Sequence, residues 1–240
     1  MRKISIALAV IALGLLGCES TENSHNVYVK EHTYGSFTDE RDGQVYKTIV
    51  IGEQTWMAQN LNFEVENSYC YADDLEMCKK YGRLYTWAAA IDSVALANDE
   101  DNPLDCGYEK VCEISGNIKG VCPDGWHLPS KEEWTALLAL AGDESEACVA
   151  LRATREWNDY EGYPAATNDL GFSAFAVSGR DDEGHFGQNG SITHFLSSSD
   201  LYLKLATCVV LDAFGKARVD KCFKHYAISV RCVEDAPAAP

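Results

Sequence analysis

Between His194 and Asp200 the chain sets a base, the three hydroxyls of Ser197, Ser198 and Ser199, and a carboxylate, the ingredients of a nucleophilic triad. Such serines become nucleophiles on a strained strand-to-helix turn, and no Gly-x-Ser-x-Gly surrounds these. His25, His32, His127, His185, His194 and His225 show no His-Glu-x-x-His spacing, so zinc hydrolysis has no ligand set. Hard oxygen ligands are more plentiful: Asp159, Asn168, Asp169, Asp181 and Asp182 lie in Gly- and Asn-rich stretches that could hold calcium. A solvated acidic loop explains the same residues without a metal, and no other cofactor is indicated. Trp157, Tyr160 and Tyr163 fall within one short stretch after a helix. Exposed, such rings would stack on sugar faces or anchor a protein; buried, they would close the end of a small core.

Cysteines carry the second chemistry. Ten are present, at 18, 70, 78, 106, 112, 122, 148, 208, 222 and 232, without a Cys-x-x-Cys pair. In an exported protein disulfides are the default. Cys70 and Cys78 close one short acidic loop, and Cys106 and Cys112 close another. Two strands folding about a Phe214-Gly215 turn would set Cys208 opposite Cys222. Cys148 falls on a helix from Glu144 to Thr154, on the face of Leu151, where an inert buried thiol fits best. Cys122 then pairs with Cys232.

The reason to expect export is the first segment. Arg2 and Lys3 precede an apolar run from Ile4 to Leu16 that is too short to span a bilayer comfortably. Leu15-Leu16-Gly17-Cys18 looks like a bacterial lipobox; an ordinary secretory signal is the alternative. The resemblance implies removal of residues 1–17 and acylation of Cys18, several chains anchoring stably where one would not. Residues 18–37 read as a polar tether spanning roughly 25 Å, residues 38–234 as the domain, and residues 235–240 as a disordered tail. With 37 Asp and Glu against 20 Lys and Arg, the formal charge is −17. No basic stripe exists for nucleic acid, and the membrane would be met through lipid rather than charge.

Elements follow from pattern. Val45–Ile51, Gly52-Glu53 and Gln54–Ala58 predict a hairpin. Residues 84–97 predict a helix from Leu84, Trp87, Ala88, Ile91 and Leu96. Ser130 with Glu133 forms a capping box before Trp134, Leu137, Leu138 and Ala141, and Gly142 ends that helix. Asp143 with Glu146 starts the next. From there to residue 200 the pattern predicts a long loop-rich region, and residues 227–233 alternate like a half-buried strand.

Asp42-Gly43-Gln44-Val45-Tyr46-Lys47-Thr48, Gly52 to Asn62, Tyr81 to Ala90, Cys122 to Ser130, Asp169 to Ala174 and Ser229 to Val233 together resemble the Fibrobacter succinogenes major paralogous domain. Phe195-Leu196-Ser197-Ser198 departs from the aromatic-Trp-Ser-Ser usual there. That family is similar to C-type lectin-like domains and the formylglycine-generating-enzyme fold. The resemblance implies an α+β domain of two helices, a small antiparallel sheet and a long loop region, stapled by disulfides, with the first helix linked to the last strand. Trp157-Asn158-Asp159 spells a tripeptide that lies late in calcium-dependent lectins, but here it directly follows the helix ending near Thr154, and no Glu-Pro-Asn or Gln-Pro-Asp accompanies it.

These readings predict an outer-membrane lipoprotein, on either face of that membrane, whose domain binds a glycan or an envelope protein without catalysis. The alternatives are an envelope enzyme using loops 157–200, with Asn168 and Asp169 at its site, and a scaffold for outer-membrane assembly.

Overall fold

A Gly-Glu turn reverses the chain as expected. In the computed structural model, which describes residues 31–236, Ile51 pairs with Gln54 and Thr48 with Met57. Cys18, the export segment and most of the tether lie outside the described residues, as do residues 237–240. The strands are β1 (Gly35–Thr38), β2 (Val45–Ile51), β3 (Gln54–Met57), β4 (Ser68–Tyr69), β5 (Leu84–Tyr85), β6 (Trp126–His127), β7 (Ile192–Tyr202), β8 (Leu205–Asp212), β9 (Ala217–Phe223), β10 (Ile228–Ser229) and β11 (Val233–Glu234). The helices are α1 (Leu75–Tyr81), α2 (Trp87–Ala90), α3 (Ser93–Ala97), α4 (Lys131–Ala141) and α5 (Glu144–Leu151). The architecture is α+β, with one sheet ordered β1-β2-β3-β11-β6 and another ordered β4-β5-β10-β7-β8-β9.

Strand β8 organises the core because side chains alternate across a sheet. Ala206, Cys208 and Val210 join a cluster with Tyr85, Trp87 and Ile91, whereas Val209 and Leu211 join Trp134, Leu137 and Leu151 of α4 and α5. A sheet buried on both faces needs partners for its polar edges. The indole N–H of Trp134 donates to the Leu196 carbonyl at 3.1 Å, and that of Trp87 to the Ser197 carbonyl at 3.0 Å. Both capping boxes form, Ser130 with Glu133 and Asp143 with Glu146.

Five expectations need correction. The helix over 84–97 is broken: Leu84 and Tyr85 pair with β4 and β10, then Thr86 caps α2 and Asp92, at a left-handed φ of 52°, caps α3. The loop-rich region ends at residue 191, since β7 carries His194 and Ser197 to Asp200 as strand. Residues 227–233 are buried throughout rather than alternating, because β10 pairs in one sheet and β11 in the other. The domain starts before residue 38: β1 pairs with β2, and His32 Nε2 bonds the Asn168 carbonyl at 2.7 Å. Asp235, assigned to the tail, is held by His127.

Four disulfides join Cys70–Cys78, Cys106–Cys112, Cys122–Cys232 and Cys208–Cys222. Cys122 sits in a turn before β6, so the long bridge ties a turn, not a helix, to the last strand segment. Cys208 faces Asp220 and Cys222 faces Ala206, so that bridge is diagonal; the hairpin turns about Phe214, one residue earlier than expected.

One buried cluster makes a pH prediction. Both ring nitrogens of His127 face carboxylates, Nε2 to Glu133 at 2.8 Å and Nδ1 to Asp235 at 2.6 Å. Carboxylates only accept, so both nitrogens carry protons. Burial opposes that charge, but Glu133 and then Asp235 outweigh it and hold the His127 pKa above its ordinary 6.5. Burial likewise opposes the Glu133 charge, yet His127 and Ser130 hold its pKa below 4.5. The histidine contribution is complete below pH 6.5 and is lost as pH rises through the raised folded pKa. That of Glu133 is present above 4.5 and is lost on acidification. The stability difference between the native chain and His127→Gln, read by thermal melts, is therefore expected to peak between about pH 4.5 and 6.5 and to shrink toward pH 9. A difference that grows with pH would contradict the arrangement.

Candidate functional site

The stretch after α5 is fixed from below by a buried arginine. Arg152 Nη2 donates to the Pro164 carbonyl at 2.6 Å and Nη1 to the Asp212 carbonyl at 3.2 Å, while its guanidinium stacks 4.9 Å from the Trp157 ring centre. Trp157 is half-buried and donates its indole N–H to the Ala174 carbonyl at 2.9 Å. It is therefore the plug of the three aromatic candidates. Asn158 follows, donating its backbone N–H to the Gly190 carbonyl at 2.7 Å. Gly190 has φ +94°, and a Cβ there would come within 2.6 Å of the Asn158 side chain; only glycine allows this approach.

The next two rings face outward. Tyr160 is 37% exposed and Tyr163 50%, and both pack on Phe214 of the β8–β9 turn, itself 45% exposed. The centroid distances are 4.9 Å and 5.1 Å, with Tyr160 tilted and Tyr163 edge-on. The Tyr160 hydroxyl bonds Ser191 Oγ at 2.8 Å, and Asn158 Nδ2 donates to the same oxygen at 3.3 Å. Ser191 first, and Asn158 next, lower the Tyr160 pKa from its ordinary value by hydrogen bonding to its hydroxyl. Three rings are thus held as a platform on rigid supports, with hydroxyl and amide groups at its edge. Sequence reasoning missed Phe214, which lies 51 positions from Tyr163. Its signal was its place at a turn, where an exposed aromatic has no core to fill.

Three of the oxygen-bearing candidates, Asn168, Asp169 and Asp181, hold loop structure. Asn168, at φ 55°, accepts the Ser173 backbone N–H at 2.8 Å and donates to its hydroxyl at 2.9 Å. Asp169 accepts from the Thr167 hydroxyl at 2.7 Å. Asp181 accepts the backbone N–H groups of Glu183 and His185, which lower its pKa, His185 first. Asp182 lies 3.7 Å from His225 Nε2, and Asp159 is exposed on the aromatic loop. Among the described residues no three His, Cys, Asp or Glu side chains converge as a metal site.

The hydrolase ingredients are also separated. Ser197 and Ser198 are buried in β7, and Ser197 Oγ accepts the Ser199 backbone N–H at 3.1 Å. Asp200 forms an ion pair with the fully buried Lys224 at 2.6 Å and accepts the Cys112 backbone N–H at 2.8 Å. His194 lines a cleft of about 420 Å³ with Phe186, Lys221, Phe223 and Tyr226. Its Nδ1 is buried with no partner among the described residues, and burial lowers its pKa to about 4, so it is neutral at pH 7. Cys148 is buried, unbridged, and donates its thiol to the Asp212 carbonyl at 3.2 Å. Burial raises its pKa despite Arg152 four residues on, which makes it a poor nucleophile.

The described residues thus form an α+β domain stapled by four disulfides, with Tyr160, Tyr163 and Phe214 displayed beside a loop braced by Arg152. The chain belongs to the Fibrobacter succinogenes major domain family, whose family model matches residues 49–234. The Asp42-to-Thr48 segment lies ahead of the matched span. No curated protein and no solved structure gives a match to the chain.

Proposed function

We propose that this chain is a lipid-anchored cell-envelope module of C-type lectin-like architecture that binds a glycan without catalysis. The observation that carries the reading is the exposure of Tyr160, Tyr163 and Phe214 as one braced platform. Large apolar rings cost free energy in water, and held beside hydroxyl and amide groups they suit the C–H face and rim hydroxyls of a pyranose. The amide and hydroxyl of Asn158 and Ser191 supply that polar edge. Support for the anchor is the Leu15-Leu16-Gly17-Cys18 ending of the apolar segment; on this reading the module is an outer-membrane lipoprotein.

One preparation tests both parts. The Cys18→Ser form is expected to leave the membrane fraction, and as a soluble oxidised protein to bind neutral oligosaccharides on an array. Tyr163→Ala and Phe214→Ala are each expected to weaken that binding about tenfold, the scale of one stacked ring. Retention of the Cys18→Ser form on membranes would refute the anchor. An empty array alongside capture of an envelope protein through the same rings would replace glycan with protein as the ligand.

A further inference from the structure

One groove carries the opposite sign to the rest of the molecule. Two hollows, of about 400 Å³ and 240 Å³, meet at Gln59, Lys80 and Phe175. Their walls hold Lys47, Lys79, Lys80 and Arg155 against a single carboxylate, Glu156, on a chain of net charge −17. With acids outnumbering bases 37 to 20, a surface cation meets a carboxylate readily. Lys79, Lys110, Lys119, Lys204 and Arg218 all do.

Lys47 and Arg155 do not: among the described residues neither forms an ion pair, nor do the exposed Lys131, Lys216 and Lys221, but of these five Lys47 and Arg155 alone line the groove. Glu156 is already committed. Its Oε2 accepts from Lys80 Nζ and from the Tyr81 hydroxyl, both at 2.8 Å. Its φ of 67° turns the chain between Arg155 and the plug Trp157.

Rings and an amide flank these two cations. Lys47 Nζ lies 5.5 Å from the Tyr34 ring centre and the Arg155 guanidinium 5.6 Å from that of Phe175. Both distances lie near the outer limit of a cation–π contact, so the charges remain available to a ligand. The Gln59 carbonyl oxygen accepts the Lys47 backbone N–H at 2.8 Å, which fixes the amide and points its NH₂ donors away from that bond.

We infer that this groove binds a carboxylate-bearing saccharide, its carboxylate held by Arg155 and Lys47 and its hydroxyls and ring faces met by Gln59, Tyr34 and Phe175. The planar guanidinium fork matches a carboxylate in two parallel hydrogen bonds. The amide and the rings match a pyranose; an acidic peptide would use the cations alone. The site shares no residue with the Tyr160 platform and does not rest on it.

The test is calorimetric titration of the oxidised full chain with a galacturonic acid tetramer and with its methyl ester, which keeps the sugar and removes the charge. The acid is expected to bind and the ester to bind at least about tenfold more weakly, with the acid's affinity falling as salt is raised. Arg155→Gln and Lys47→Gln, shown to be folded by circular dichroism, are each expected to weaken the acid about tenfold. Lys131→Gln, which removes an exposed charge at the start of α4 outside the groove, is expected to leave it unchanged. Equal binding of the ester, indifference to both substitutions, no binding of the acid, or tighter binding of a glutamate oligomer would each overturn the inference.

Discussion

Changing Cys122 and Cys232 together to Ala is expected to lower the unfolding free energy by about 4–5 kcal/mol, the largest loss of any single covalent change in the domain. The bridge closes a loop of 110 residues, and the chain-entropy cost saved in the unfolded state grows with the logarithm of that length. Both cysteines are fully buried, so the doubly substituted chain also loses sulfur packing. Cys70 and Cys78 are separated by eight residues and Cys106 and Cys112 by six. The same relation gives those bridges roughly 2–2.5 kcal/mol each. Urea unfolding of the three paired-Ala variants checks the ordering. A long-bridge variant as stable as the short-loop variants would show that native packing, rather than closure, sets the stability.

Arg231→Met is expected to cost about 3–5 kcal/mol, a large share of the stability of a domain. Its side chain is fully buried, and among the described residues no carboxylate pairs with it. Nε donates to Asn60 Oδ1 at 2.8 Å, Nη2 to the Ser173 carbonyl at 3.0 Å, and Nη1 to the Phe172 carbonyl. The guanidinium lies 4.1 Å from the Phe172 ring centre and 5.3 Å from that of Phe195. Burial lowers its pKa to about 9, which still leaves it charged at pH 7. Methionine relieves the desolvation of that charge but strands two buried acceptors, Asn60 Oδ1 and the Phe172 carbonyl, each worth about 1–3 kcal/mol when unpaired, together with the half-buried Ser173 carbonyl. Arg231→Lys reaches at most part of the set and is expected to be intermediate. Chemical denaturation of the two variants decides it, and a methionine variant at least as stable as the native chain would show the desolvation cost to be dominant.

How far the fold could be read in advance depended on how local its causes were. The capping boxes at Ser130 and Asp143, the Gly52-Glu53 turn and the disulfide partners were legible because each is set by residues close in sequence or by a small number of cysteines. The break at Thr86 was not. Residues 84–97 carry helical spacing, but Leu84 and Tyr85 gain more as a short strand between β4 and β10, where both are buried. Strand β7 was hidden for a related reason: its polar Thr193, Ser197 and Ser198 resemble loop residues, yet all are buried between sheet partners. Charges were the least legible. Nothing in the Lys224 neighbourhood announces that it fills the space beside Trp87, 4.4 Å from its ring centre, while pairing with Asp200.

The candidate sites divide in the same way. Tyr160 and Tyr163 could be proposed from composition alone, because tyrosines crowded into a polar stretch have few places to hide. Phe214 joins them through a turn more than fifty positions later, and Arg152 braces them from the end of α5. Lys47 and Arg155 drew no notice among 20 bases; only the folded chain brings them to one groove, where among the described residues neither pairs with an acid.

Entry and exit of the domain share a sheet, with β1 and β11 separated only by β2 and β3. Three strand spacings amount to about 14 Å, so the body hangs from adjoining points like a pendant on a clasp. Such a unit can be spliced into a longer polypeptide, or repeated along one, without its neighbours being forced apart.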